Sequence, residues 1–156
     1  MIHTQTIPMK ELAELLLLQM ETSGQATLTV TGHSMLPTLR ERRDSVILKP
    51  PADRQNKGEI ILYLRENGQY VLHRIISVEA EGYICSGDNQ VMREPVSHSQ
   101  VLAVVSGLCR KGKLYQADGL GCRAYGAMCT GMFPVRKYYI ALRRRLGRLR
   151  RKLFRS

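Results

Sequence analysis

Between residues 26 and 109 the chain is cut every few residues by turn-forming pairs, so no apolar run there reaches the length of an ordinary helix. What remains between the cuts is short and rich in branched and aromatic side chains: 26–31, 44–50, 59–65, 70–79, 83–86 and 101–109. Asn67-Gly68, between the third and fourth runs, suits positive φ at both central positions and predicts a tight hairpin. Pro50-Pro51 and Glu81-Gly82 punctuate two others. Six or so short strands with turns between them predict a mainly β, antiparallel domain. Residues 8–22 read as a preceding helix, with Pro8 near its start and Gly24 just beyond its end.

The chain of 156 residues, 44% hydrophobic and 24% charged, is long enough for one domain with a real core. We divide it into an N-terminal helix (1–24), a β domain (25–115), and a glycine-containing linker with a basic amphipathic helical tail (116–156). The formal charge of +11 is uneven: ten of the 24 Lys/Arg lie in 136–156 with no Asp/Glu, leaving 14 basic against all 13 acidic residues before it. In the tail Tyr139, Leu142, Leu146, Leu149 and Leu153 form one apolar stripe at helical spacing, with arginines around it. No apolar stretch has the ~20 residues of a membrane span. The start of the chain lacks the layout of a cleaved signal. Cys85, Cys109, Cys122 and Cys129 form no metal-type pair and read as reduced, mostly buried thiols. Neither a metal nor an organic cofactor is expected.

The stretch TGHSMLPTL (31–39) sets a serine between a glycine and a proline. A serine there is either a turn residue or a nucleophile, and a nucleophile needs a base within hydrogen-bond reach. Of the four histidines, His3 is near the terminus, His33 adjoins the serine and His98 is in a polar loop; His73 lies inside an apolar strand. A satisfied, half-buried histidine is the plain alternative. Asp88 in SGDN (86–89) and Glu94 are the carboxylates that could orient it, although a turn residue and a solvated loop charge are their plain readings. Lys49 and Lys57 would serve a serine–lysine variant, but both precede the hairpin.

In order and spacing, GHSMLPT (32–38), KGEIILY (57–63), LHRI (72–75), GDN (87–89) and VLAVV (101–105) resemble the signal peptidase superfamily. Self-cleaving SOS-response repressors are its more distant members. The closer likeness is to the branch with histidine in place of the lysine base, as in the endoplasmic-reticulum type. The resemblance covers roughly residues 25–107. It implies Ser34 as nucleophile, His73 as general base, and Asp88 or Glu94 as the orienting acid. The N–H of Ser34 would hold the oxyanion, Gly32 and Pro37 would fix the loop, and Met35 would pack beneath it. It implies a serine endopeptidase acting on an extended peptide or precursor protein.

Family members carry a membrane-spanning anchor just before the serine, whereas residues 8–22 are too short and too acidic to span. The expectation is therefore a cytoplasmic protein, peripheral at most to the membrane, that trims a leader from a particular peptide. The tail suits an anionic membrane surface or a partner protein, or docking on the body. Sparse stacking aromatics tell against nucleic acid. The alternative is an inactive relative that binds peptide or membrane through the basic helix.

Overall fold

The computed structural model describes residues 9–153. His3 and Pro8 lie outside the described residues, as do the side chains of Leu149 and Leu153. After helix α1 (Met9–Ser23) the chain enters the strands β1 (Ala26–Thr29), β2 (Ser45–Lys49), β3 (Ile60–Leu64), β4 (Tyr70–Val78) and β5 (Gly82–Ser86). Strands β6 (Glu94–Ser97), β7 (Val101–Arg110) and β8 (Lys113–Gln116) follow, and then helices α2 (Leu120–Gly131) and α3 (Arg136–Leu153). The strands form one antiparallel sheet in the order β1-β2-β7-β3-β4-β5-β6, so the fold is mainly β with helices at both ends. Strand β7 is the spine: β2 pairs along one edge, while β3 and then β8 share the other.

Register shifts at Ile47/Leu48, Leu62/Tyr63 and Ile75/Ser77 bend the sheet, as bulges do. Both faces of its centre are therefore covered. Leu16 and Met20 of α1 pack with Leu28, Val46, Ile60, Leu62 and Val105 on one side. On the other, Ile61, Tyr63, Ile75, Tyr83, Cys85, Val96 and Val104 form a second cluster. Successive residues of β4 consequently face different surroundings, a consequence of strand alternation that matters for His73 and Arg74.

The six runs read from the sequence all become strands, and the hairpin closes β3 onto β4 as expected, but only Gly68 takes positive φ (+82°) and Asn67 does not; the turn is closed by the Gly68 N–H donating to the Arg65 carbonyl at 2.9 Å. Three elements differ from expectation. Residues 94–97, read as loop, are strand β6; its Pro95 is tolerated because β6 is an edge strand. The boundary at 115 falls inside β8, which continues the sheet to Gln116. The linker from 116 is largely helix α2, despite glycines at 121, 126 and 131 that disfavour helix. Packing overrides propensity at Gly126, where a Cβ would lie 3.1 Å from the Gly58 carbonyl oxygen and 3.2 Å from Arg74 Nη1. Docking of the tail on the body is confined to one side: Arg136 and Ile140 are buried, whereas Leu142 and Leu146 are more than half exposed.

Candidate active site

The loop that carries Ser34 is held from below and from the side. Met35 and Leu39 are buried in the core against α1 and the sheet, and the Leu39 N–H donates to the Met35 carbonyl at 2.9 Å. Gly32 sits at φ +79°, a left-handed conformation natural to glycine, and its N–H donates to Glu41 Oε2 at 3.1 Å. Pro37 follows a cis peptide bond. From the side, the Asn89 N–H donates to the Ser34 carbonyl at 2.7 Å and Asn89 Nδ2 to the His33 carbonyl at 3.2 Å. Gly87 must be a glycine here, because a Cβ would lie 2.5 Å from the Ser34 carbonyl oxygen and 3.0 Å from its Cβ. Among the described residues, neither the hydroxyl nor the N–H of Ser34 has a hydrogen-bond partner. Both are free to meet a ligand.

Asp88, the next residue, is a buried structural anchor. Arg74 donates Nε to Oδ1 at 2.9 Å and Nη2 to Oδ2 at 2.7 Å, and the Thr38 hydroxyl also donates to Oδ2. The same guanidinium donates Nη1 to the Gly58 carbonyl at 2.7 Å, and Tyr125 of α2 lies against it. Strand β4, the Ser34 loop, the 86–89 turn and α2 are thus tied at one point. Asp88 makes no hydrogen bond to His73.

His73 faces the other way, with a side chain only 3% exposed. Its Nδ1 is 3.1 Å from the Tyr63 hydroxyl, which in turn donates to Glu94 Oε2 at 2.8 Å. Arg65 completes the line, donating Nη2 to the same Glu94 oxygen at 2.6 Å and Nε to the other. Glu94 Oε2 itself is 3.9 Å from Nδ1, too far for a direct hydrogen bond. Of the two carboxylates left open by the sequence, Glu94 is the one on the histidine's side, and it acts through Tyr63.

The hydrogen-bond network assigns the tautomer. Arg65 holds Glu94 below the usual carboxylate range, so Glu94 is ionised and can only accept. Burial, reinforced by Glu94, keeps the Tyr63 phenol protonated far above its ordinary range, and its one proton is directed to Glu94. The Tyr63 oxygen must then accept from His73, which puts the imidazole proton on Nδ1. Burial, only partly opposed by Glu94, lowers the His73 pKa to about 4, so the ring is neutral at pH 7. Nε2 is left with a bare lone pair and no partner among the described residues. A neutral imidazole with Nδ1–H engaged and Nε2 open is the form in which histidine takes a proton from a hydroxyl.

Sequence reasoning reached Gly32, Ser34, Met35, Pro37, His73, Asp88 and Glu94, but not Thr38, Tyr63, Arg65, Arg74, Gly87 or Arg136. Arg136 donates Nη1 to the Gly87 carbonyl at 2.9 Å and Nη2 to the Cys129 carbonyl at 2.6 Å. The period-two alternation of β3 puts Tyr63, two residue pairs along from the Ile61–His73 pair, on the same face as His73. Among the described residues no three His, Cys, Asp or Glu side chains gather in a metal-binding group. A surface depression of about 760 Å³ beside Glu79, Tyr83 and Val96 contains neither Ser34 nor His73. Neither a scan against protein-family models nor a search of curated proteins returned a match to this chain.

Proposed function

We propose that the chain is a serine endopeptidase of the signal-peptidase type that cuts a peptide bond in a leader or precursor peptide. The observation that carries this reading is the line Arg65–Glu94–Tyr63–His73, which leaves Nε2 as the one free basic atom of a neutral, buried imidazole. Ser34 Oγ attacks the scissile carbonyl carbon while its proton passes to His73 Nε2. The N–H of Ser34, unpartnered among the described residues, donates to the oxyanion, an interaction worth ~3–4 kcal/mol per donor in model proteases. The C–N bond then breaks as the Nε2 proton moves to the leaving amine. Water, deprotonated by the same nitrogen, cleaves the ester and regenerates the serine. Throughout, Glu94 stays ionised and steadies the imidazolium through Tyr63. Asp88 keeps the loop in place and takes no proton.

Four free cysteines support a reducing compartment, and we assign the activity to the cytoplasm. The second reading, an inactive adaptor acting through the basic tail, draws on one observation: Ser34 and His73 share no hydrogen bond. Catalytic contacts often close only around substrate, so this does not outweigh the poised base.

The test is to incubate the full chain with a diverse peptide library and identify products by mass spectrometry beside the Ser34→Ala and His73→Gln variants. Products that need both residues are expected, and the residues flanking the cuts define the specificity. Products that persist in Ser34→Ala, or none at all with or without vesicles, would transfer the reading to the adaptor.

A further inference from the structure

Met128, Met132, Val135, Tyr139, Leu142 and Leu146 recur at alternating steps of four and three, from α2 through the turn at 133–135 into α3. Every one of them is between 45% and 57% exposed. The opposite side of the same arm carries Gly126, Thr130, Phe133, Arg136 and Ile140, all buried. The arm is therefore seated on the body by one side and presents a continuous apolar stripe on the other. Arg143 and Arg145, both exposed, flank the stripe one on each side, exposed Arg144 and Arg148 fall on the side of Ile140, and no Asp or Glu occurs after Asp118.

Charge and apolarity together select the occupant. A second copy packed stripe to stripe would set arginine against arginine along both flanks, the arrangement that disfavours a coiled coil. A nucleic acid would neutralise the arginines and leave the leucines and methionines in water. An anionic bilayer satisfies both, taking the apolar side chains into the acyl boundary and the arginines among the headgroups. Tyr138 and Tyr139, 66% and 50% exposed, bring an apolar ring with a polar tip, as suits that boundary. No described helix is long and apolar enough to cross a membrane, so the arm lies in the surface.

We propose that the outward face of α2 and α3 is an in-plane anchor that binds the chain to anionic phospholipid. Arg136, on the seated side, donates to the Gly87 carbonyl, and Gly87 touches Ser34. The anchor thereby holds the serine loop about one helix diameter, ~10–12 Å, from the bilayer. This inference does not depend on the peptidase reading.

The experiment is co-sedimentation of the full chain with vesicles of phosphatidylcholine alone and of an equal mixture with phosphatidylglycerol, over a salt series. Binding is expected to the mixed vesicles, to fall as salt rises, and to be weak on phosphatidylcholine. The Leu142→Glu, Leu146→Glu double variant should lose at least about tenfold in affinity, since both side chains are exposed in the free protein and buried only in lipid. Replacing Arg143 and Arg145 by Gln should cost about fivefold per arginine. Leu146→Gln alone, with circular dichroism as a fold check, serves if the double variant is unstable. Four results overturn the proposal: no vesicle binding; equal binding to both vesicles; wild-type binding by the leucine variants, with a short DNA duplex bound as well as lipid; or a dimer on a sizing column that Leu142→Glu, Leu146→Glu dissolves without any lipid binding.

Discussion

His73 and Arg74 are adjacent in a nine-residue strand and so point to opposite faces of the sheet, and the faces here differ in kind. Arg74 is spent on Asp88, and His73 is left to Tyr63. Two substitutions separate these assignments. Asp88→Asn leaves Arg74 buried without its counter-charge and should cost roughly 3–5 kcal/mol of stability, read by urea denaturation. Glu94→Gln should cost far less stability but lower kcat/KM, because the line that fixes the His73 tautomer ends there. Tyr63→Phe should reduce kcat/KM roughly 10- to 100-fold, less than loss of the base itself, since the direct Glu94–His73 gap of 3.9 Å is not bridged. With His73 near 4, kcat/KM should rise through about pH 4 and stay flat toward neutrality, instead of turning near the ordinary histidine value. Ser34 and His73 were legible in the sequence because short motifs surround them. Tyr63 was not, since a tyrosine in an apolar strand reads as core, and its hydroxyl has meaning only once β6 brings Glu94 alongside.

At the scale of elements, the turn at 86–89 is a junction that receives the Ser34 loop, Arg74 of β4 and Arg136. Gly87→Ala should push the Ser34 carbonyl away, because the nearest atom to the new Cβ, at 2.5 Å, is that backbone oxygen and not the end of a flexible side chain. Activity loss well beyond any loss of stability is expected, and comparing kcat/KM with thermal midpoints checks it. The six strands between turn signals could be read directly, being local patterns of side chains. Strand β6 could not, because its Pro95 argues against a strand except at an edge, and edges are decided by the whole sheet. Helix α2 was hidden by its glycines, one of which is there to let the helix approach Gly58 and Arg74. Local propensity does not record such contacts.

For the whole molecule, the charge division between body and tail was evident from residue counts. The bending that buries both faces of the sheet was not, since it arises from bulges between strands distant in sequence. That burial has a consequence for stability. The folded-state pKa of His73 lies below its unfolded value of about 6.5, so the unfolded chain binds the extra proton between the two. The stability due to neutral His73 is thus complete above pH 6.5 and is lost as pH falls to about 4, a change on the order of 3 kcal/mol. Urea denaturation across that window should show the loss, and His73→Gln should flatten it. Activity and stability both converge on a single titration. The most direct measurement is a nitrogen-15 NMR titration of the imidazole, assigned with His73→Gln, which requires no substrate. A ring protonated only at Nδ1 from pH 8 down to about 5, gaining its second proton near pH 4, is the expected result. A proton on Nε2 in the neutral ring, or titration near 6.5, would mean that Tyr63 and Glu94 do not poise His73 as a base.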